Sequence, residues 1–221
     1  MFSFRRLQAQ TVTLLFLLLS VLISSLSLSV NASPKQHILI LGDSLSAGYG
    51  IEIEQSWPTL LQQKLDQEGI DAQVHNASIS GQTSAEGLAQ VEQLLKETQP
   101  DLLILELGAN DGLRGLSLSE MKQNLAGMIQ QAQAKDAKVL LLGMHIPSNY
   151  GRRYTKMFHN IFIKLSEEYQ TGLVPFMLAP VATEQWEVKP GMIQSDGLHP
   201  TAKAQPLILD HLWGGIEEGL R

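Results

Sequence analysis

"HILILGDSLSAGYG", residues 37–50, places the unbroken aliphatic run Ile38-Leu39-Ile40-Leu41 directly before Gly42, Asp43 and Ser44. Four apolar residues without polar alternation read as a strand buried on both faces, the habit of parallel sheets. A glycine and two polar residues at its carboxyl end read as a turn out of the sheet into a helix. Ser44 there is either a helix N-cap, a role that serine favours, or a hydroxyl held at the sheet edge for chemistry.

Outward from this stretch the chain repeats the same alternation. Strand-length apolar runs follow at Ala72 to Val74 continuing to Ala77, Leu102 to Leu107, Val139 to Met144 and Leu173 to Leu178. Each is followed by a segment of helical period: Trp57 to Glu68 after the first run, then Thr83 to Thr98, Leu118 to Ala134, Tyr154 to Tyr169 and Thr201 to Glu218. Ser117-Leu-Ser-Glu120 has the spacing of a capping box at the start of the third helix. Strands joined through helices run parallel, so the fold class is α/β, a doubly wound three-layer αβα sandwich around a five-stranded parallel sheet. Nothing in the pattern marks a linker or a second domain.

Length and composition agree with one domain. The chain has 221 residues, of which 44% are hydrophobic and 17% charged, enough to bury a substantial core. With a net charge of −6 and no Lys/Arg-rich block, a nucleic-acid partner is not expected. No cysteine is present, so no disulfide supports the fold and none can carry a lipid.

The first 32 residues read as a secretory signal peptide. Arg5 and Arg6 form the basic region, Thr11 to Val30 is uncharged and apolar, and Val30-Asn31-Ala32 supplies small residues at the cleavage positions. Removing this leader with its two arginines leaves 189 residues, 33–221, and takes the net charge from −6 to −8. The expectation is a single exported domain in the periplasm, without stable membrane insertion after cleavage.

In open α/β sheets ligands occupy the crevice beyond the carboxyl ends of the strands. Four polar, glycine-bearing clusters fall at that edge: Gly42-Asp43-Ser44, Asn76 to Gly81, Gly108-Ala109-Asn110-Asp111, and Ser195-Asp196-Gly197-Leu198-His199. Alone, each is an ordinary cap or turn. Together they hold the parts that hydrolysis by a serine needs: a hydroxyl, an imidazole, a carboxylate to orient it, and donors for an oxyanion. Ser44 supplies the hydroxyl, His199 the base and Asp196 the orienting carboxylate. The backbone amides of Ser44 and Gly81 and the Asn110 side chain are the candidate donors, and glycine at 81 lets its amide approach a substrate closely.

Several residues are read as structural. Asp43 holds its loop, and Glu106, within a central strand, is a satisfied sheet-end carboxylate. Arg152 and Arg153 form a solvated loop pair whose rim position suits an anionic head group. Asp111 to Leu118, with Gly112 and Gly115, is a mobile link. His145 ends the fourth strand and faces the same edge, with no role assigned. The remaining histidines complete no metal-ligand spacing, so no metal site is expected.

Other classes fit less well. The Gly-x-Ser-x-Gly elbow of α/β-hydrolases fails because Ser46 replaces its last glycine. A nucleotide-binding module, suggested by Gly42, Gly48 and Gly50, lacks the third glycine, where Ile53 stands, and an acidic ribose ligand after the second strand. A non-catalytic exported binding domain is the remaining alternative.

Gly42-Asp43-Ser44-Leu45, Gly81, Gly108-x-Asn110-Asp111 and Asp196-x-x-His199 resemble, in order, the four sequence blocks of the SGNH (GDSL-type) hydrolases. The resemblance spans the whole of residues 33–221 and implies a flavodoxin-like sandwich. It also implies a Ser44–Asp196–His199 triad, an oxyanion hole of Ser44, Gly81 and Asn110, and no cofactor. The partners it implies are small acyl esters, thioesters or lysophospholipids, taken up by a monomer. Ala109 departs from the second glycine common in the third block, at a position the block leaves free.

Overall fold

The computed structural model describes residues 35–221, and the leader read at 1–32 lies outside them. Five strands form one parallel sheet: β1 Gln36–Gly42, β2 Ala72–Asn76, β3 Leu102–Glu106, β4 Lys138–Leu142 and β5 Gly172–Val174. Their order is β2-β1-β3-β4-β5, that of the flavodoxin-like fold. The first crossover lies to one side of β1 and the next to the other, which opens a crevice at the carboxyl ends of β1 and β3. Ile38 to Leu41 and Leu102 to Leu105 are wholly buried because β1 and β3 are covered on both faces. The edge strand β2 is covered less: only Ala72 is buried, Val74 and His75 are half-buried, and Gln73 and Asn76 are exposed.

Seven helices surround the sheet: α1 Ser44–Ala47, α2 Trp57–Glu68, α3 Ser84–Thr98, α4 Ala109–Leu113, α5 Leu118–Gln133, α6 Arg152–Tyr169 and α7 Gln205–Gly219. α2 packs on α7, while α3, α5 and α6 pack in succession, giving the two outer layers of the sandwich. Trp57 is fully buried, and its backbone N–H donates to Gln205 Oε1 at 3.0 Å, joining the starts of α2 and α7. Thr83 and Glu86 form a complete capping box on α3. Ser117 caps α5 from one side only, accepting from the Glu120 N–H at 3.3 Å.

Several bounds differ from the sequence reading; β4, for example, ends at Leu142 and not Met144, and the last helix starts at Gln205 and not Thr201. β5 stops at Val174 instead of reaching Leu178, because Pro175 has no N–H to continue a ladder. α6 begins at Arg152, so Arg152 and Arg153 are helical and not a loop pair; Gly151 turns the chain into the helix just ahead of them. The Asp111–Leu118 link is likewise shorter than read, since α4 occupies its first part.

Candidate active site

Why Gly, Asp and Ser stand together is answered at the end of β1. Gly42 pairs with Glu106 across the β1–β3 ladder, and a Cβ on it would lie 2.7 Å from Glu106 Oε2 and 2.8 Å from Ser46 Oγ. Any side chain there would force the Glu106 carboxyl or the Ser46 hydroxyl to shift. Asp43, and not Ser44, is the N-cap of α1: its Oδ1 accepts from the Leu45 N–H at 3.0 Å. Ser44 is thereby left as the first helical residue, its hydroxyl unused by the cap and half-buried at the sheet edge.

The imidazole arrives on a tight hairpin. Ile193 bridges Pro200, Gln194 N–H donates to His199 O at 2.8 Å, and the Leu198 and His199 N–H groups both donate to Asp196 Oδ1, at 2.9 and 3.0 Å. Asp196 Oδ2 lies 2.7 Å from His199 Nδ1, and His199 Nε2 lies 2.8 Å from Ser44 Oγ. With a carboxylate at Nδ1, that nitrogen carries the proton and Nε2 accepts from the serine hydroxyl. Burial opposes the Asp196 charge, yet the His199 and Leu198 amides and the His199 ring overcome it and hold the carboxyl at about 2, so it is ionised at neutral pH. Gln194 ties this hairpin to the serine side by donating to Tyr49 O at 2.8 Å, and the Tyr49 ring lies 4.5 Å from that of His199.

The third side of the site is a shared network. Ile79 N–H donates to Gly42 O at 3.1 Å, which lays the loop carrying Gly81 against β1. Gly81 has φ +81°, a conformation glycine adopts without strain. The Asn110 amide nitrogen donates to Asp43 Oδ2 at 2.9 Å and Gln82 O at 3.1 Å, and its oxygen accepts from Arg114 at 3.4 Å. Arg114 also donates to Gly81 O at 2.6 Å. The Ser44 and Gly81 backbone N–H groups, by contrast, enter none of the hydrogen bonds found among the described residues. Two free backbone donors and a tethered side-chain donor are therefore held at this edge of the sheet.

Beneath the serine sit two buried acids. Glu106 Oε2 accepts from Ser46 Oγ at 2.7 Å and from the Asp43 N–H at 3.2 Å, while Oε1 has no partner. Burial, reinforced by the neighbouring Asp43 charge, pushes the Glu106 carboxyl well above its ordinary range. Burial also raises Asp43, to about 6, against the pull of the Leu45 and Asn110 donors.

Ser44 and His199 open onto a small cleft of about 90 Å³ walled by Leu45, Leu113, Ile146, Pro147 and Trp186. A larger groove of about 660 Å³ lies by the amino-terminal ends of β4 and β5, away from these groups. Among the described residues no cluster of three or more His, Asp or Glu side chains is placed to hold a metal ion. The residues read from sequence as Ser44, Gly81, Asn110, Asp196 and His199 are all at this one edge. Sequence reading missed Tyr49, Gln194, Arg114 and Trp186, whose Nε1 donates to Gly197 O at 3.0 Å. Their contributions are contacts between loops, which leave no periodic signal.

A hydroxyl aligned on an imidazole and a carboxylate, on a flavodoxin-like sheet, is an arrangement that can carry hydrolysis by a serine. Residues 40–206 match the GDSL-like lipase/acylhydrolase family, and the chain belongs to it. Esterase TesA of Pseudomonas aeruginosa is 47% identical over 189 residues, covering 86% of this chain and 92% of that protein. The thioesterase 1/protease 1/lysophospholipase L1 of Escherichia coli K12 is 43% identical over 183 residues, covering 83% and 84%. Among solved structures, the psychrotrophic esterase EstA from Pseudoalteromonas sp., inhibited by monoethylphosphonate, superposes with a TM-score of 0.78 at 43% identity, covering 84% of this chain and 98% of that one.

Proposed function

We propose that this chain hydrolyses acyl esters and thioesters through a covalent acyl-Ser44 intermediate. The observation that carries the reading is the line from Asp196 Oδ2 to His199 Nδ1, 2.7 Å, and from His199 Nε2 to Ser44 Oγ, 2.8 Å. These groups are 155 positions apart in the chain, so only the fold aligns them.

In this reading Ser44 Oγ attacks the substrate carbonyl carbon as its proton passes to His199 Nε2. The carbonyl oxygen becomes an oxyanion held by the Ser44 and Gly81 N–H groups and by Asn110. Collapse breaks the bond to the leaving thiol or alcohol, which takes the proton from His199. Water then attacks the acyl-enzyme with His199 again as base, releasing the acid and restoring the serine. Ionised Asp196 keeps the Nδ1 proton in place and balances the imidazolium in both halves.

The relatives' names support the substrate class: one is an esterase, another a thioesterase and lysophospholipase. The apolar cleft suits an acyl group. At about 90 Å³ it is far smaller than the roughly 300–1,000 Å³ that enclose a whole drug-sized ligand, so a long acyl chain extends beyond it. The leader read at 1–32 adds export to the periplasm to this proposal; among the described residues no helix is long and apolar enough to cross a membrane. Turnover of p-nitrophenyl, coenzyme A and glycerophospholipid esters of matched chain length by purified enzyme tests the reading. Hydrolysis of at least one class, lost in Ser44→Ala, is expected; equal rates in Ser44→Ala would remove it.

A further inference from the structure

Beside the serine cleft lies a second cavity of about 370 Å³, lined by Arg152, Lys156, His159 and Asn160 of α6 together with Glu184 and His145. His145 borders both spaces, so one side chain stands between the serine cleft and this notch. Its ring stacks on His159 at 3.8 Å and meets Phe176 edge-on at 4.8 Å. His145 is only 9% exposed, yet neither ring nitrogen enters a hydrogen bond among the described residues. Burial holds the imidazole at about 4, and it is therefore neutral, with one N–H to offer and one lone pair.

The notch also carries more positive than negative charge. Arg152, Lys156 and His159 fall at i, i+4 and i+7, one face of α6. Among the described residues, neither Arg152 nor Lys156 makes an ion pair, and Glu184 is the one carboxylate lining the cavity. Like charges four apart on a helix repel, and cations near its amino end oppose the helix dipole. The chain as a whole is acidic, net −6, so this patch runs against its background. Local conflicts of this kind concentrate at binding sites.

We propose that this notch binds a phosphate-type anion on the leaving-group half of the substrate, with Arg152 and Lys156 as its charge partners and His145 as the wall between it and the acyl group. The inference rests on the hydrolase reading above and adds which esters the enzyme favours: acyl groups joined to a phosphate-bearing thiol or alcohol. The acyl chain lies among Leu113, Ile146 and Pro147, and the leaving group crosses His145 toward α6. A phosphodiester in a lysophospholipid and the phosphates of coenzyme A share this chemistry.

The test compares wild type with Lys156→Glu and, should that variant fail to fold, Lys156→Gln. Substrates are a p-nitrophenyl ester, a coenzyme A thioester and a lysophosphatidylcholine of one acyl length, and calorimetry measures coenzyme A binding alone. The expected result is a rise of about tenfold or more in the KM of the phosphate-bearing substrates relative to that of the p-nitrophenyl ester, the scale of one charge-assisted hydrogen bond. A rise for the thioester alone assigns the notch to coenzyme A phosphates; a rise for both assigns it to a single phosphodiester. Ratios unchanged within twofold, with unchanged coenzyme A binding, would overturn the proposal. If wild type turned over no ester, the hydrolase reading would fall, while weaker coenzyme A binding in the variant would still uphold the notch.

Discussion

Asp43 and Asn110, 67 positions apart, are joined by a 2.9 Å hydrogen bond from the Asn110 amide to Asp43 Oδ2. The bond ties the turn after β1 to the helix after β3 and fixes the one side-chain donor beside Ser44. It also occupies that donor, so Asn110 must share a hydrogen with a developing oxyanion. Asn110→Ala is expected to lower kcat by about 10²- to 10³-fold, the scale of one oxyanion donor, with little change in KM. Asp43→Ala removes the tether and the α1 cap, costing roughly 1 kcal/mol of stability for the cap. If Asp43 acts on rate through Asn110, the double variant is no slower than Asn110→Ala alone, and steady-state kinetics on the cycle decides.

His199→Ala is expected to lose nearly all turnover with an unchanged fold. Asp196→Asn keeps an oxygen for the Leu198 and His199 amides but places a donor against Nδ1, which favours the wrong tautomer. A fall of about 10⁴-fold in kcat is expected, by analogy with the same change in other triads. Single-turnover kinetics with near-wild-type circular dichroism checks both.

Gly42→Ala forces a Cβ to within 2.7 Å of Glu106 Oε2 and 2.8 Å of Ser46 Oγ. Overpacking of this sort costs about 1–3 kcal/mol. For a domain of this size the melting temperature then falls by about 2–4 °C per kcal/mol. Thermal unfolding measures it, and a melting temperature equal to wild type would show that the Glu106 carboxyl can move aside.

Burial raises the carboxyls of both Glu106 and Asp43 in the folded chain. A raised acid binds its proton more tightly folded than unfolded, so its contribution is present at low pH and is lost as pH rises. For Asp43 that window runs from its ordinary 3.8 to about 6; for Glu106 it starts at 4.5 and extends well above. Glu106→Gln removes the Glu106 share of this loss. Its melting temperature is expected to fall less than that of wild type between pH 5 and pH 8, and parallel curves would contradict the upward shift of Glu106.

Much of the fold was legible because its central strands β1, β3 and β4 hold aliphatic runs and its helices carry the 3.6-residue period. Trp57–Glu68 has the same bounds in sequence and structure. Boundaries failed where backbone chemistry decides, as at Pro175, or where the first helical residues are charged and carry no apolar period, as at Arg152 and Arg153. In the site, the parallel topology brought Ser44, Gly81, Asn110, Asp196 and His199 to one edge, as their strand-end positions predicted. Of the two readings of Ser44, the cap falls away, since Asp43 supplies it. Tyr49 and Gln194 were illegible because they meet 145 positions apart, between loops with no pattern of their own.

The most direct test of the account is intact-mass and peptide mapping after treatment with a fluorophosphonate ester. One covalent adduct per chain is expected, on Ser44, forming far more slowly in His199→Ala. Labelling at another residue, or an adduct on Ser44 that forms as fast without His199, would contradict the claim that this imidazole activates this hydroxyl.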